Sequence, residues 1–489
     1  MAYQDLREWI KFLDEKGDLK RIQVEVDWDE EIGAITREIS SCYGPALLFE
    51  NIKDHRHTLC RSLFTNGTGS KQRVCALLGL PDETSNRDIV LTLKGRFSRP
   101  VEPLRVDWGP VKENILRGAE VDLYQFPVPK WNPLDGGRYI MTSASVVSMD
   151  PETRLLNLGT YRGMISTKNT ISVLLATTQG WGKHFVKYRR EGQEMPVAVV
   201  LGWDLTLFMA ASTPVSYPEY EMAGSLRQAP VELVKCETSD LWVPATAEIV
   251  LEGRISPDPK SFELEGPFSE YPGYYGGKRT PKHTIRVDCI THRKSPIFTG
   301  CLTGSSPGRT NEVTSWSAAS FSAVAWQCLE QAGVPNVMGV WRGKWPEVMR
   351  IQIRKAYRGH AQQAANALWG SSVANYAAKH LIVVDEEIDI FDWEAIEWAL
   401  AYRVNAAMGD ISFFPGTPGS MLDPSVPLEE RNSLKYGHGK CTRVLIDATI
   451  NWELEPQEQY GGNRYPPVGT AISPKMAETL KRRWKEYGF

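Results

Sequence analysis

The chain has 489 residues with a formal net charge of −3, and 42% of the residues are hydrophobic. This length exceeds what one ordinary hydrophobic core supports, so we expect a soluble globular protein of two or three domains. The near-neutral charge, without a lysine or arginine stripe, argues against binding to nucleic acid. No run approaches the roughly 18 uncharged apolar residues of a membrane span. The charged opening MAYQDLREWI does not resemble a signal peptide, so we expect a cytoplasmic location.

The cysteine and tryptophan contents bear on which kinds of functional site the chain can contain. Eight scattered cysteines include no C-x-x-C pair, which argues against a zinc ribbon, an iron–sulfur cluster and a thioredoxin-like site. The sixteen tryptophans suit large cores and subunit interfaces, or alternatively an aromatic-lined ligand pocket.

The N-terminal region is predicted to contain a helix, a strand and a glycine loop. Apolar residues at i, i+3, i+4 and i+7 indicate an amphipathic helix that Gly17 ends; they are Leu6, Trp9, Ile10 and Leu13. Alternation indicates a half-buried strand through Leu19, Ile22, Val24 and Val26. Residues 62–79 form a glycine loop entering a helix, but Gly69-Ser70-Lys71 lacks the order of a Walker A phosphate loop.

The centre of the chain is predicted to be β-rich. Residues 101–136 contain many prolines, and we interpret them as an irregular entry to this region. From about 137 to 302, short β-branched segments bounded by turns favour a barrel or sandwich over βαβ units. These segments are YIMTSASVVSM, ISVLLATT, PVAVVLGW, TAEIVLEG, HTIRVDCI and PIFTGCL.

After residue 310 the pattern becomes α/β. TNEVTSWSAASFSAVAWQCLEQAG predicts a long helix ended by Gly333, and Asp392 is a predicted N-cap. Between them the pattern predicts a strand, a helix and a buried strand, which are VMRIQIR, AQQAANALW and HLIVVD. The terminal segment places Met476, Leu480 and Trp484 on one stripe. We expect that stripe to be buried, for example against a partner subunit.

The segment ELEGPFSE places Glu265 and Glu270 on either side of a Gly-Pro bend. Such a bend can aim two carboxylates into one space, where poor solvation raises one pKa and makes a general acid. Taken alone, the octapeptide is more often a solvated surface turn.

A second set of residues suits a metal and an anion. Asn157, His184 and Glu219 would supply oxygen, nitrogen and oxygen to a hard divalent ion such as Mn²⁺ or Mg²⁺. Their spacing is no metal signature by itself, and a lone histidine such as His184, which we place in a turn, is more often a surface residue. Arg162 is either an ion-pair residue or a bidentate clamp on a substrate carboxylate.

Together these stretches make the chain resemble the UbiD family of prenylated-flavin-dependent decarboxylases. The resemblance covers nearly the whole chain, and the matching stretches include YQDLREWIKFLDEKGDLKRI, GPALLFENIK, DGGRYIMTSASVVSMDPETRLLNLGTYRGM, PEYEMAG, ELEGPFSEYPGYYGG and KHLIVVDEEIDIFDWEAIEWAL. It implies that Arg162, Glu265 and Glu270 are catalytic. It also implies that Asn157, His184 and Glu219 hold a divalent metal beside the cofactor phosphate.

The resemblance extends to further cofactor contacts and to the substrate region. Thr160, Tyr161 and the turn Ala211-Ser212-Thr213-Pro214 match segments that line the flavin and its phosphate, and Lys379 matches a basic phosphate contact. The chain departs from the family pattern in CLTGSSPGRTNE and in residues 341–345. Both are expected to border the active site, so the departures bear on the substrate.

The implied protein is a reversible decarboxylase of an aromatic, heteroaromatic or α,β-unsaturated carboxylic acid. Arg162 would clamp the carboxylate and Glu270 would donate the proton. The implied cofactors are prenylated FMN supplied by a flavin prenyltransferase, Mn²⁺ or Mg²⁺, and a companion K⁺. Two alternatives stay open, an FMN-dependent oxidoreductase and a non-catalytic subunit of a carboxylase complex.

The implied architecture is a mixture of α/β and α+β domains. It comprises an N-terminal α+β domain (1–110), a central flavin-reductase-like split β-barrel (111–310) and a C-terminal α/β oligomerisation domain (311–489). The resemblance implies a homodimer or homohexamer in which the central domain opens and closes against the rest.

Overall fold

The computed structural model describes residues 3–215, 217–304, 308–309, 311–375, 377–431, 439–468 and 472–488. The described α-helices are α1 (Leu6–Glu15), α2 (Glu31–Ser41), α3 (Lys71–Leu77), α4 (Asn86–Phe97), α5 (Gly180–Arg190), α6 (Leu205–Ser212), α7 (Glu219–Arg227), α8 (Glu312–Gln331), α9 (His360–Trp369), α10 (Trp393–Arg403) and α11 (Pro474–Arg483). Within the described chain, no helix combines the length and the apolar character needed to cross a membrane.

Twenty-three strands are described, and they form five sheets. In chain order they are β1 (Leu19–Ile22), β2 (Ala46–Phe49), β3 (Ser62–Thr65), β4 (Leu104–Arg105), β5 (Asn114–Arg117), β6 (Ser145–Met149), β7 (Leu156–Gly159), β8 (Gly163–Thr167), β9 (Thr170–Val173), β10 (Met195–Leu201), β11 (Glu232–Lys235), β12 (Trp242–Pro244), β13 (Ile249–Ile255), β14 (Glu263–Glu265), β15 (Phe268–Ser269), β16 (Tyr275–Gly276), β17 (Thr280–His292), β18 (Ile297–Thr299), β19 (Val337–Trp341), β20 (Val348–Ile353), β21 (His380–Asp385), β22 (Ile411–Gly419) and β23 (Gly439–Ala448).

The N-terminal sheet has the order β1-β2-β3-β18. Helix α1 forms as predicted, with Asp5 as its N-cap and its apolar stripe buried. The strand predicted through Val24 is too long, because β1 ends at Ile22 and Val24 is 71% exposed. The segment PIFTGCL does form a strand, β18, but that strand pairs in parallel with β3 instead of joining the central sheet.

The central sheet has nine strands, in the order β7-β6-β10-β13-β17-β9-β8, with β5 and β14 also paired to β17. Its strands bury a continuous apolar core around Val146, Val199, Leu251 and Ile285. The end strands of this order, β7 and β8, are consecutive in the chain and are separated by residues 160–162. No closed barrel is present among the described strands, so the predicted split barrel stays a prediction.

The C-terminal sheet is mixed, with the order β19-β20-β21-β23-β22. β20, β21 and β23 run parallel, as the predicted α/β alternation requires. The predicted long helix is α8, and Asp392 caps α10 by accepting a hydrogen bond from the Glu394 backbone. The predicted terminal helix is α11, none of whose described residues is buried within this single chain. The fold is therefore a mixed α/β multidomain arrangement.

Candidate active site

Arg162 lies in the three-residue connection between the two end strands of the central sheet, β7 and β8. The connection bridges the two ends of one sheet, and the Arg162 side chain is only 9% exposed. The Nε atom is buried and has no hydrogen-bond partner within the described structure. A buried guanidinium is stable only where anions face it.

Two carboxylates face Arg162, and both come from the ELEGPFSE segment. Arg162 Nη2 donates to Glu265 Oε2 at 2.9 Å, and Nη1 donates to Glu270 Oε1. Glu265 ends β14 and is fully buried, whereas Glu270 follows β15 and is mostly buried. Between them Gly266 has φ +91°, a conformation that favours glycine. The structure thus brings the three predicted catalytic residues together.

The pKa values of Glu270 and Arg162 are both raised, but for different reasons. Burial raises the pKa of Glu270 above its ordinary value, against the opposing charge of Arg162. Burial would lower the pKa of Arg162, but the Glu270 and Glu265 carboxylates outweigh burial and hold that pKa above its ordinary value. Glu270 is therefore the carboxylate suited to carry a proton beside a permanent cation.

Two supporting residues, Tyr139 and Asp135, were not anticipated. The Tyr139 hydroxyl donates to Glu265 Oε1 at 2.8 Å. Asp135 accepts from the Ser269 backbone at 3.0 Å and so anchors β15, which precedes Glu270. Burial raises the pKa of Asp135. Their loop is apposed to the Gly-Pro bend, since a Cβ on Gly136 would lie 2.1 Å from the Gly266 carbonyl oxygen. Neither residue has a sequence signature; only their adjacency to the DGGRY glycines hinted at a close approach.

The predicted metal ligands come from three different elements. Asn157 is on β7, Glu219 begins α7, and His184 lies within α5, not in the predicted turn. The predicted turn is instead part of a helix that begins at Gly180 and accommodates both Gly180 and Gly182. Glu219 Oε2 accepts from the Leu158 backbone at 3.1 Å, beside Asn157.

Neighbouring contacts connect His184 to the same place. Ser148 pairs with Asn157 across β6 and β7, and the Ser148 hydroxyl lies 3.0 Å from His184 Nδ1. That contact leaves Nε2 as the ring nitrogen for a ligand. Burial lowers the pKa of His184, which favours the neutral ring that a metal requires. Asn157, His184 and Glu219 therefore lie on neighbouring elements, and their joint binding of a metal stays a prediction.

The donor set fits a hard divalent cation. It combines an amide oxygen, an imidazole nitrogen and a carboxylate, and burial raises the pKa of Glu219 to about 7. Gly180 leaves room for this set, because a Cβ there would lie 1.7 Å from Asn157 Oδ1. Among the described residues there is no cluster of three or more histidine, cysteine, aspartate or glutamate residues that could hold a metal.

Most of the predicted cofactor residues surround these ligands. Tyr161 stacks on Trp181 with ring centroids 4.0 Å apart, and Asn157 Nδ2 donates to its hydroxyl at 3.2 Å. The Ser212 hydroxyl lies 3.4 Å from Thr160 Oγ1, which joins the end of α6 to the Arg162 connection. Thr213 caps α6, with Pro214 next in the chain. These contacts link Asn157 to Tyr161 and Ser212 to Thr160, and the role of these residues in cofactor binding stays a prediction.

Lys379 lies in the C-terminal part of the chain, and its contact with the cofactor phosphate stays a prediction. Its ammonium donates to Asp423 Oδ2 and to Ser425 Oγ, both at 2.6 Å, in the C-terminal part. None of its described hydrogen bonds reaches the loops around Asn157. Of the two divergent segments, residues 305–307 and 310 lie outside the described residues. In the other segment, Arg342 is buried and donates to Ser317 Oγ at 3.0 Å.

Comparison with known proteins supplies a family context for this geometry. Three UbiD family models, those of the 3-octaprenyl-4-hydroxybenzoate carboxy-lyase N-terminal, Rift-related and C-terminal domains, match residues 10–93, 104–306 and 318–448. A phenolic acid decarboxylase of Sedimentibacter hydroxybenzoicus is 33% identical, over 99% of each chain. A pyrrole-2-carboxylic acid decarboxylase of Pseudomonas aeruginosa is 32% identical, over 99% of this chain and 98% of the relative.

Solved structures of related enzymes match this fold over nearly the whole chain. The closed form of the S. hydroxybenzoicus vanillic acid decarboxylase superposes with a TM-score of 0.86 at 32% identity, covering 99% of this chain and all of the other. The open form of that enzyme gives 0.82 at 31% identity over the same shares. The UbiD-class enzyme HmfF of Pelotomaculum thermopropionicum, in complex with FMN, gives 0.80 at 32% identity, covering 97% and 98%. An evolved dimeric form of HmfF with prFMN gives 0.79 at 30% identity over the same shares.

Proposed function

This chain belongs to the UbiD family of carboxy-lyases, and from that premise we propose that it decarboxylates an aromatic or heteroaromatic acid, reversibly, with prenylated FMN. The observation that carries the proposal is the Arg162 guanidinium held between Glu265 and Glu270. The relatives that act on phenolic, vanillic and pyrrole-2-carboxylic acids support the substrate class. An α,β-unsaturated acid belongs to the same proposed range.

The residues present fit the cofactor. Asn157, His184 and Glu219 would hold Mn²⁺ or Mg²⁺ beside the flavin phosphate, and Thr160, Tyr161, Ser212, Thr213 and Pro214 would line it. The structures of HmfF with FMN and prFMN support this assignment. Bound prenylated FMN supplies the electron sink that loss of CO₂ from an sp² carbon needs. We further propose that the central sheet is a split barrel formed around this cofactor.

Arg162 would bind and orient the substrate carboxylate. Glu265 holds Nη2, while Nη1 contacts Glu270. When Glu270 carries a proton, its charge no longer competes for Nη1, and a substrate carboxylate can take its place. Fixing the carboxylate in this way orients the bond that breaks and converts binding energy into positioning.

Glu270 would then deliver its proton to the carbon that has lost CO₂. Burial raises the pKa of Glu270 and so favours its protonated form, and the same burial limits exchange of that proton with water. In the reverse direction the ionised Glu270 would take the proton from the same carbon, because both directions share one transition state. General acid catalysis contributes about 10²–10⁴-fold, so most of the acceleration comes from the electron sink and from positioning.

The decisive experiment uses the full chain co-expressed with a flavin prenyltransferase. Absorbance and cofactor mass are recorded, and aromatic, heteroaromatic and acrylic acids are tested for exchange with ¹³C-bicarbonate. We expect prenylated FMN and entry of label into one acid class. Plain FMN with NAD(P)H oxidation and no exchange would contradict the proposal and favour an oxidoreductase. Purification without cofactor, together with a partner protein, would favour a non-catalytic subunit.

A further inference from the structure

Tyr271 directly follows the proposed proton donor, yet its side chain reaches a different part of the molecule. Its hydroxyl lies 3.3 Å from Glu347 Oε1 and 3.0 Å from Ser420 Oγ. Glu347 immediately precedes β20 and Ser420 immediately follows β22, so both partners belong to the C-terminal sheet. Glu270 faces Arg162 of the central part. Two consecutive residues therefore connect the Arg162 cluster to the C-terminal sheet.

The Tyr271 hydroxyl both donates and accepts a hydrogen bond. The single phenolic proton of Tyr271 goes to the Glu347 carboxylate, which leaves the phenolic oxygen to accept from the Ser420 hydroxyl. Ser420 Oγ in turn accepts from the Leu422 backbone at 3.2 Å. The turn after Ser420 is fixed by Asp423, which binds the Lys379 ammonium at 2.6 Å. The anchor is thus rigid on the C-terminal side.

The hairpin that carries Glu270 is held by few hydrogen bonds between its own two strands. β15 and β16 pair through only two residues each, and the Glu270 backbone donates to the Tyr274 carbonyl at 3.0 Å. Beyond the hairpin, the backbone of Ser269 is held by Asp135 and Thr303. A two-residue pairing cannot by itself hold a side chain to the accuracy that catalysis needs. Asp135 and Thr303 supply contacts from outside the hairpin on the Ser269 side of Glu270, and Tyr271 supplies those on the other side.

We propose that Tyr271 is a positioning residue that makes the placement of Glu270 depend on the C-terminal sheet. While the hydroxyl is bound to Glu347 and Ser420, the hairpin is held and Glu270 faces Arg162. When the C-terminal part moves away, the hydroxyl loses both partners and Glu270 is no longer held in place. Proton delivery is thereby restricted to the arrangement in which the two parts are in contact. This inference rests on the proposed function, in which Glu270 is the proton donor.

The test removes single hydroxyl groups from the cofactor-loaded full chain. Tyr271→Phe and Ser420→Ala each delete one side of the contact, and Ser420→Ala replaces the tyrosine variant if that does not fold. The matched control is Tyr274→Phe, which loses a hydroxyl in the same turn but one that makes no side-chain hydrogen bond among the described residues. We expect kcat to fall about 10-fold in both test variants, with KM changed less than about twofold. A displacement of a catalytic group by 1 Å costs about 10²-fold in rate, and the loss of one hydroxyl contact should displace Glu270 by less than that.

Two further readouts separate positioning from a general structural role. The double variant should lose no more than the larger single loss, since both substitutions break one contact. Hydrogen–deuterium exchange over residues 268–276 should rise in both test variants and not in Tyr274→Phe. Additive losses, or wild-type kcat and exchange in Tyr271→Phe, would overturn the inference. If the wild type decarboxylates no acid, the proposed function fails, and exchange over the hairpin still decides whether the contact holds it.

Discussion

The Tyr139 hydroxyl donates to Oε1 of Glu265 at 2.8 Å, while Arg162 Nη2 donates to Oε2 of the same carboxylate at 2.9 Å. Both oxygens of this fully buried carboxylate are therefore bound. Tyr139 fixes the carboxylate that fixes the arginine, although it lies 126 positions from Glu265 in sequence.

We expect Tyr139→Phe to weaken both stability and catalysis. The substitution leaves one oxygen of a buried carboxylate without its donor, which costs about 1–3 kcal/mol in the free energy of unfolding. A looser Glu265 should also lower kcat/KM about 10-fold. Denaturant unfolding and steady-state kinetics measure the two effects. Tyr188→Phe, at a buried tyrosine outside the cluster, is the control. Unchanged values for both would show that the hydroxyl does not hold Glu265.

Replacing Glu270 by glutamine should remove turnover while leaving the fold and the cofactor content intact. We expect kcat to fall at least about 10²-fold, the lower end of what general acid catalysis contributes. In the wild type, kcat should fall as pH rises through the pKa of Glu270, which burial places above the ordinary value of about 4.3. Glu232→Gln, at an exposed strand position, is the control. Near-wild-type turnover in the Glu270 variant would disprove the proton-donor role.

Gly180→Ala tests the metal site without touching a ligand. Alanine suits the first turn of α5, but its Cβ would lie 1.7 Å from Asn157 Oδ1 and must displace it. We expect a folded protein that has lost most of its divalent metal and flavin, as measured by elemental analysis and absorbance. Gly95→Ala, within α4 and with open space at its Cβ, is the matched control. Full metal and flavin content in the Gly180 variant would show that Asn157 is not a ligand.

Glu312 should make stability depend on pH. The residue is 6% exposed, and burial raises its pKa to about 7. The folded chain therefore holds a proton that the unfolded chain releases above pH 4.5. The resulting stabilisation is complete below that pH and is lost as pH rises through about 7. Relative to Glu312→Gln, the wild type should lose up to about 3 kcal/mol of unfolding free energy between pH 4.5 and 8. Parallel curves for the two proteins would contradict this.

The terminal helix α11 should support self-association. Met476 is 49% exposed, and Leu480 lies one turn further along the same stripe. Placing a charge on this stripe, as in Met476→Asp with Leu480→Asp, should reduce the mass of the assembly in light scattering, because an apolar contact would then bury carboxylates. Lys481→Asp, on the polar face, is the control. An unchanged mass for the double variant would show that α11 does not form the contact.

Local sequence patterns correctly predicted the features that depend only on residues close together in the chain. The buried stripe of α1, the cap at Asp392 and the extent of α8 follow from helical period and capping, which need no tertiary information. The bend between Glu265 and Glu270 also follows from its glycine and proline. The resemblance to a family added the pairing of Arg162 with those carboxylates.

Tertiary structure decided everything that depends on contacts between distant segments. The pairing of β18 with the N-terminal sheet, the support of Glu265 by Tyr139 and the reach of Tyr271 to Ser420 join residues more than 120 positions apart. The ion pair between Lys379 and Asp423 likewise joins segments that only folding brings together. The sequence by itself determines which residue types the site contains and where its local turns lie. The direction in which each side chain points depends on which segments pack together, and only the tertiary structure decides that.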